Sequence, residues 1–286
     1  MSDVLVIGGA NIDVKAKAEG THISHTSNPG AVTFKAGGVA RNIAHNLARL
    51  GCKTTLFTII GQDAFGDLLL AETNKAGVNT NHIIRSNQAT GSYVAMLDEK
   101  GELVSAVNAM GLLQEITPET IKRNKDLFKT NKYIIADCNL TDETLNEIAS
   151  CAISRLIVEP VSVAKSKKLK TLLKNHQVFL ATPNLDQIEA LTGTRDIPTA
   201  AQKLHALGLQ NIVIHAGEQG AYASDGQAIT HIPSQATNII DVTGAGDAAM
   251  SGLVFGLLQN LPLAKAAMIG QEMAAKVIAS AASTLE

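Results

Sequence analysis

The run Asp241-Val242-Thr243-Gly244-Ala245-Gly246-Asp247-Ala248-Ala249-Met250-Ser251-Gly252 carries the clearest chemistry in this sequence. It lies between apolar Ile239-Ile240 and a helical-period run bearing Leu253, Val254, Leu257 and Leu258, so its glycines fall at a helix start. Glycines there leave successive backbone N–H groups unobstructed, and those groups with the helix dipole make an anion site. Asp247 faces that site from the first turn. A carboxylate repels a statically bound phosphate, yet it suits removal of a proton from a hydroxyl that attacks one. The residue types therefore favour catalysis over storage.

Other readings of the same residues are weaker. Gly244, Gly246 and Ala249 satisfy the loose G-x-G-x-x-A dinucleotide pattern, but too few residues follow to build a nucleotide-binding half. A Gly-rich helix entry with a capping Asp is the plain structural alternative. No G-x-x-x-x-G-K-[ST] occurs, which excludes a P-loop.

Two further segments fit the same chemistry. In Ala36 to Gly51, Gly37 and Gly38 permit close backbone approach at a helix start, and Val39, Ile43, Ala44, Leu47 and Leu50 form its core face. Asn42, one turn in, can point its amide at a ligand. Ile7-Gly8-Gly9-Ala10-Asn11-Ile12-Asp13 reads as a strand ending in a tight turn, as at the carboxyl edge of a parallel sheet. Asp13 there can accept from a pair of sugar hydroxyls, or serve as an Asx cap.

These segments are positioned by alternating elements. Short apolar strands at Val4 to Ile7, Thr54 to Ile60, Tyr133 to Ala136, Leu156 to Val158 and Val178 to Leu180 alternate with helical segments. The helices are Gly38 to Leu50, Ala64 to Ala76, Asp142 to Ser150 and about Ala164 to Lys174. Such punctuation predicts an α/β chain with a mostly parallel sheet covered on both faces. Val14 to Lys35 breaks the pattern and reads as a loop or lid, while Ser92 to Leu97 and Leu103 to Val107 read as a hairpin around Asp98 to Glu102. After Gly193 the sequence predicts a helix at Ala200 to Leu207, a strand at Asn211 to His215, a hairpin near Ser224-Asp225-Gly226, and two closing helices parted near Pro262. No repeat or linker divides the 286 residues, so a single domain over 1–286 is expected, with lid segments at about 14–35 and 88–110.

Composition narrows the class. Hydrophobic residues at 45% and charged residues at 17% suit a soluble globular core. Net charge is −2, aromatics are 3% and Trp is absent, which argues against a nucleic-acid partner. Cys52, Cys138 and Cys151 form no disulfide or zinc spacing and read as buried thiols of a cytoplasmic protein. No run approaches a membrane span, so no membrane partner is expected. The histidines lack H-E-x-x-H spacing, no G-x-S-x-G elbow occurs, and the lysines from Lys165 to Lys174 read as a solvated helix face. Lys165 is set apart as a ligand contact because it adjoins Pro160-Val161-Ser162.

Taken in order, the segments resemble the two signatures of the PfkB (ribokinase-like) carbohydrate and nucleoside kinase family, the first over Gly37 to Gly61 and the second over Asp241 to Val254. The likeness extends through Gly61 to Gly66, Thr182-Pro183-Asn184 and Gly217-Glu218-Gln219-Gly220, and so along the whole chain. Ser27-Asn28-Pro29-Gly30, Phe34, Ala136 to Asn139 and Pro160 to Ser162 with Lys165 bring it nearest to members that phosphorylate the ribose 5-hydroxyl of a C-nucleoside.

The resemblance implies a ribokinase-like three-layer αβα fold with a mostly parallel central sheet and a small β lid. It implies Asp247 as general base and the N–H groups of Gly244, Ala245, Gly246 and Asp247 as an anion hole. Asp13, Gly38 and Asn42 would clamp the ribose, Asn11 would support them, and Asn184 with Gly217 and Gly220 would serve ATP and Mg²⁺. Asp241 and Thr243 match the family's loop for a monovalent cation such as K⁺. A lid with an apolar face would pair with a second copy as a homodimer. Three departures stand out: Gln187 replaces the acid of N-x-x-E, Glu159 replaces a shorter Asp before Pro160, and His215 replaces a Thr or Ser. The alternatives are another sugar or nucleoside kinase of this family, or a nucleoside-binding protein without catalysis.

Overall fold

The computed structural model describes residues 3–152, 155–236, 238–280 and 282–285. It begins with strands β1 (Val4–Ile7), β2 (Asn11–Ala18) and β3 (Gly30–Gly37), helix α1 (Val39–Arg49), and strands β4 (Thr54–Phe57) and β5 (Ile59–Gly61). Helix α2 (Ala64–Lys75) leads to β6 (Ile84–Ser86), β7 (Ser92–Leu97) and β8 (Leu103–Ala109). Next come α3 (Pro118–Arg123), α4 (Asp126–Lys129), β9 (Tyr133–Asp137), α5 (Asp142–Cys151), β10 (Arg155–Glu159), α6 (Val163–Leu173), β11 (Val178–Ala181) and α7 (Leu185–Thr192). The last group is α8 (Ile197–Ala206), β12 (Leu209–His215), β13 (Ala221–Ser224), β14 (Ile229–Ile232), α9 (Ala245–Leu258) and α10 (Leu263–Ile278).

The main sheet has the order β14-β13-β12-β11-β10-β9-β1-β4, parallel throughout except where β13 and β14 turn back. Successive side chains of a strand face opposite ways, and both faces here are apolar because both are covered. Val4, Val6 and Ile135 pack with Ile43, Leu47, Met250 and Leu253 of α1 and α9. Leu5, Ile7 and Ile134 pack with Leu145, Leu169, Ile188 and Leu204 of α5 to α8. The result is the expected three-layer αβα arrangement.

Helices α1 and α9 start differently from most others. Helices α2, α5, α6, α7 and α8 begin on side-chain caps from Asp63, Thr141, Ser162, Asn184 and Asp196. By contrast α1 and α9 begin at Gly38 (φ 97°) and Gly244 (φ 81°) with no side-chain cap. A Cβ on Gly38 would lie 2.5 Å from Ala10 Cα, and one on Gly244 2.0 Å from the Ser283 carbonyl oxygen. Only glycine fits either place.

The Val14–Lys35 segment, expected as a loop or lid, is built mainly of strand, since residues 11–18 and 30–37 are strands β2 and β3. With β7 and β8 they form a second sheet, β3-β2-β7-β8. Its period-2 alternation divides chemistry by face. Asp13, Tyr93 and Asn108 share one row, and the opposite face carries the row Phe34, Val14, Val94 and Val107. On that apolar side Phe34, Val94 and Val107 are exposed at 50%, 40% and 63%. The predicted strand Thr54 to Ile60 also divides, because Thr58 hydroxyl donates to the Gly8 carbonyl at 2.6 Å and β5 leaves the main sheet to pair with β6. Of the three thiols only Cys138 is buried, while Cys52 and Cys151 are partly exposed. Among the described residues no helix is long and apolar enough to cross a membrane.

Candidate active site

The carboxyl ends of β1, β9, β10, β11 and β12 open together on a cavity of about 1020 Å³ roofed by the polar face of the small sheet. This is where an open α/β sheet places its ligands. Part of it is lined by Asn11, Asp13, Gly38, Asn42, Tyr93, Asn108, Asn139 and Lys165. Asn184, Gln187, His215, Gly217, Gly220, Thr243, Gly244, Ala245, Gly246 and Asp247 line the remainder. Residues from both ends of the chain thus meet in one space, as the motif reading expected.

Asp247 sits in the first turn of α9, and its Oδ2 accepts from Asn42 Nδ2 at 2.9 Å. Burial pushes its carboxyl well above the usual range, reinforced by the carboxylates of Glu159, Asp137 and Asp13, while the Asn42 bond works the other way. Of the four N–H groups expected to face an anion, one is engaged within the chain. Ala245 N–H donates to the Val242 carbonyl at 3.2 Å and Ala248 N–H to that of Gly244 at 2.9 Å. The N–H groups of Gly244, Gly246 and Asp247 have no protein acceptor among the described residues.

Asn11 Nδ2 donates to Asp13 Oδ1 at 2.7 Å, fixing the Asp13 carboxylate on the cavity face of β2. Burial raises the Asp13 pKa, against the lowering effects of Asn11, Lys15, Arg41 and Lys35. Lys165 Nζ donates to Asn139 Oδ1 at 2.5 Å, so the two line the cavity as a pair. Below them Asp137 is fully enclosed and accepts from the N–H groups of Gly9 (2.8 Å), Ala40 (3.2 Å) and Asn139 (2.9 Å), joining β1, α1 and β9.

At the other end Asn184 and Gln187 form a reciprocal capping box, each side-chain oxygen accepting the other's backbone N–H at 2.9 Å. Gln187 Oε1 is therefore engaged by the helix start. Asn184 retains its amide NH₂ as a donor. Glu159 accepts from Thr182 hydroxyl at 2.6 Å and from Val161 N–H at 3.1 Å, and burial pushes its pKa up to about 7. Val161, a β-branched residue at φ 68°, lines the cavity in a strained conformation. The His215 ring is driven down to about 4 by burial, and its Nε2 has no partner among the described residues. Thr243 lines the cavity, but Asp241 does not: its carboxylate accepts from Thr243 N–H at 2.9 Å and pairs with Lys15 of β2 at 3.6 Å.

The profile of the family described as "pfkB family carbohydrate kinase" matches residues 1–285. The chain belongs to this family. Pseudouridine kinase of Escherichia coli (strain K12) is 37% identical over 94% of this chain and 88% of its own. A carbohydrate kinase from Agrobacterium tumefaciens of known structure shares the architecture at TM-score 0.87 and 32% identity, covering 99% of this chain and 93% of that one. Arabidopsis thaliana ribokinase, complexed with ribose and ATP, matches at TM-score 0.87 and 20% identity over 98% and 94%, a likeness of fold. This chain is thus a sugar or nucleoside kinase of the PfkB family with a ribokinase-like fold.

Within this kinase, motif reading passed over two groups that shape the site. Asp137 was visible only as part of a resemblance, although an acid at the end of a central strand marks a binding edge. Arg41 lies inside the first signature yet behind the cavity, and nothing in the spacing of charges announces its contacts.

Proposed function

We propose that this kinase transfers the γ-phosphoryl group of ATP to the ribose 5-hydroxyl of a nucleoside, with pseudouridine as the preferred acceptor. The observation that carries the reading is the Asp247 carboxylate, held by Asn42 beside the open N–H groups of α9 in one cavity with Asp13. The incoming hydroxyl oxygen forms the new P–O bond as its proton passes to Asp247, and the P–O bond to ADP breaks with its electron pair leaving on ADP. The raised proton affinity of Asp247 suits that task. Gly246 and Asp247 N–H groups donate to the oxygens of the moving phosphoryl group, and Asp13 with Asn42 holds the ribose.

The donor set fits magnesium carried on nucleotide phosphates. Glu159 and Asp247 supply carboxylates to the cavity, and no cage of three acidic, His or Cys ligands exists among the described residues. When bound, the ion neutralises phosphate charge, and Glu159 is the residue that would meet its water shell. Asp241 and Thr243 do not fit potassium as they are placed, because the Lys15 ammonium already balances Asp241. No step is assigned to that ion.

Support for pseudouridine comes from the 37% identity to a pseudouridine kinase and from polar groups over the acceptor side. Pseudouridine is joined to its ribose through carbon and so carries an extra ring N–H where uridine carries a C–H, and Tyr93, Asn108 and Asn139 offer acceptors. Coupled ADP release with pseudouridine, uridine, guanosine and ribose tests the proposal. Preference for pseudouridine supports it, preference for another acceptor leaves a different kinase of the family, and binding without turnover reduces the protein to a nucleoside binder. We also assign the exposed apolar face of the small sheet to a second copy of the chain, so light scattering should report a dimer.

A further inference from the structure

We infer that Arg41 is a positioning residue for phosphoryl transfer, acting through Asn42 to fix how the Asp247 carboxylate is held. The inference rests on the kinase reading above.

Arg41 is 3% exposed, lies in the first turn of α1, and does not line the cavity. Its Nη1 donates to the Ala36 carbonyl at 3.2 Å and to Asn42 Oδ1 at 3.3 Å, and its Nε to Thr73 hydroxyl at 3.3 Å. Thr73 gives its own hydrogen to the Leu69 carbonyl at 2.6 Å, so its oxygen is available to accept. All three acceptors are neutral oxygens, and no carboxylate approaches Arg41 within ion-pair distance among the described residues. A buried guanidinium so arranged is a costly way to fill space, since an apolar side chain of similar volume packs without desolvating a charge.

The donor inventory shows what the charge accomplishes. A guanidinium has only donors, so the face of the Asn42 amide turned to Arg41 must be its oxygen. The amide NH₂ is then turned to Asp247 Oδ2, where it donates at 2.9 Å. In the flipped amide two acceptors would confront each other at Asp247, and the carboxylate would lose its tether. Arg41 thereby sets the direction from which Asp247 is held, and through Ala36 it joins that tether to β3, the strand of the small sheet that leads into α1. Burial lowers the Arg41 pKa to about 10, against the opposing fields of Glu72 and Asp13, and the guanidinium remains charged at neutral pH.

The test is a double-mutant cycle on steady-state kcat and KM, with pseudouridine as acceptor and thermal unfolding of every variant. Arg41→Met is expected to lower kcat about 10- to 100-fold while KM for nucleoside and ATP stays within about threefold. Asn42→Ala lowers kcat at least as much, and adding Arg41→Met to it should cost no more than about a further twofold. Arg41→Lys, which keeps a charged donor, should recover part of the loss and provides the cycle if Arg41→Met does not fold. Multiplicative losses in the double variant, or a rise in KM with kcat unchanged, overturn the role of Arg41. Wild-type protein without turnover of any acceptor would instead overturn the kinase reading.

Discussion

Removing the Asn42 amide should move the pH dependence of the reaction in a direction set by the site. The Asn42 bond lowers the proton affinity of Asp247, opposing burial and the carboxylates of Glu159, Asp137 and Asp13. A hydrogen bond to a charged acceptor contributes about 1.5–3 kcal/mol, which at about 1.4 kcal/mol per pH unit is a displacement of about 1 to 2 units. A general base works ionised, so the rate climbs as pH rises through the ionisation of Asp247. In Asn42→Ala that climb must occur at higher pH, because the base now holds its proton more tightly. The assay is the pH profile of kcat/KM for nucleoside at constant ionic strength and saturating ATP, with Glu159→Gln run in parallel because the Glu159 carboxyl is itself raised to about 7. An acid limb that stays in place or moves to lower pH refutes the reasoning.

Glu159→Gln should also change how stability depends on pH. The Glu159 carboxyl is raised from 4.5 to about 7 in the folded state, so its contribution to stability is present below about pH 4.5 and lost as pH rises through 7. The wild-type protein should therefore lose up to about 3 kcal/mol relative to the Gln variant between pH 4.5 and 8, seen as a widening gap in Tm; a constant gap contradicts it. Gln187→Glu keeps an acceptor for the Asn184 N–H, so the capping box survives while a charge is added to the cavity wall. The magnesium concentration for half-maximal rate should fall without a change in nucleoside preference, and an unchanged requirement would show that a carboxylate at this position does not reach the water shell of the ion. Gly244→Ala should abolish folding or activity, since its Cβ would meet the Ser283 carbonyl oxygen at 2.0 Å; a soluble, active variant in an expression and activity screen counts against the assigned helix entry.

Much of the site was legible because its chemistry depends on local pattern. Glycines before an apolar helical period marked the starts of α1 and α9, and Val4 to Ile7 is apolar throughout because both its faces are buried. The small sheet was harder. Phe34, Val94 and Val107 stay exposed, and β2 finds its partner β7 far along the chain, so Val14 to Lys35 could be read as a loop or lid but its strand bounds and register could not. Gln187 drew attention as a missing acid, yet Asn184-x-x-Gln187 is also a capping-box spacing, and the structure uses it as one. The pairing of Asp241 with Lys15 and the fixed amide of Asn42 depend on contacts between distant segments, which spacing along the sequence does not encode.

The account turns on Asp247 taking the proton of the attacking hydroxyl. Steady-state kinetics of Asp247→Asn with pseudouridine and ATP test this most directly, because the substitution preserves shape and removes the base. The account predicts kcat lower by about 10² to 10⁴-fold with nucleoside binding nearly unchanged, and a variant that turns over at close to the wild-type rate would contradict it.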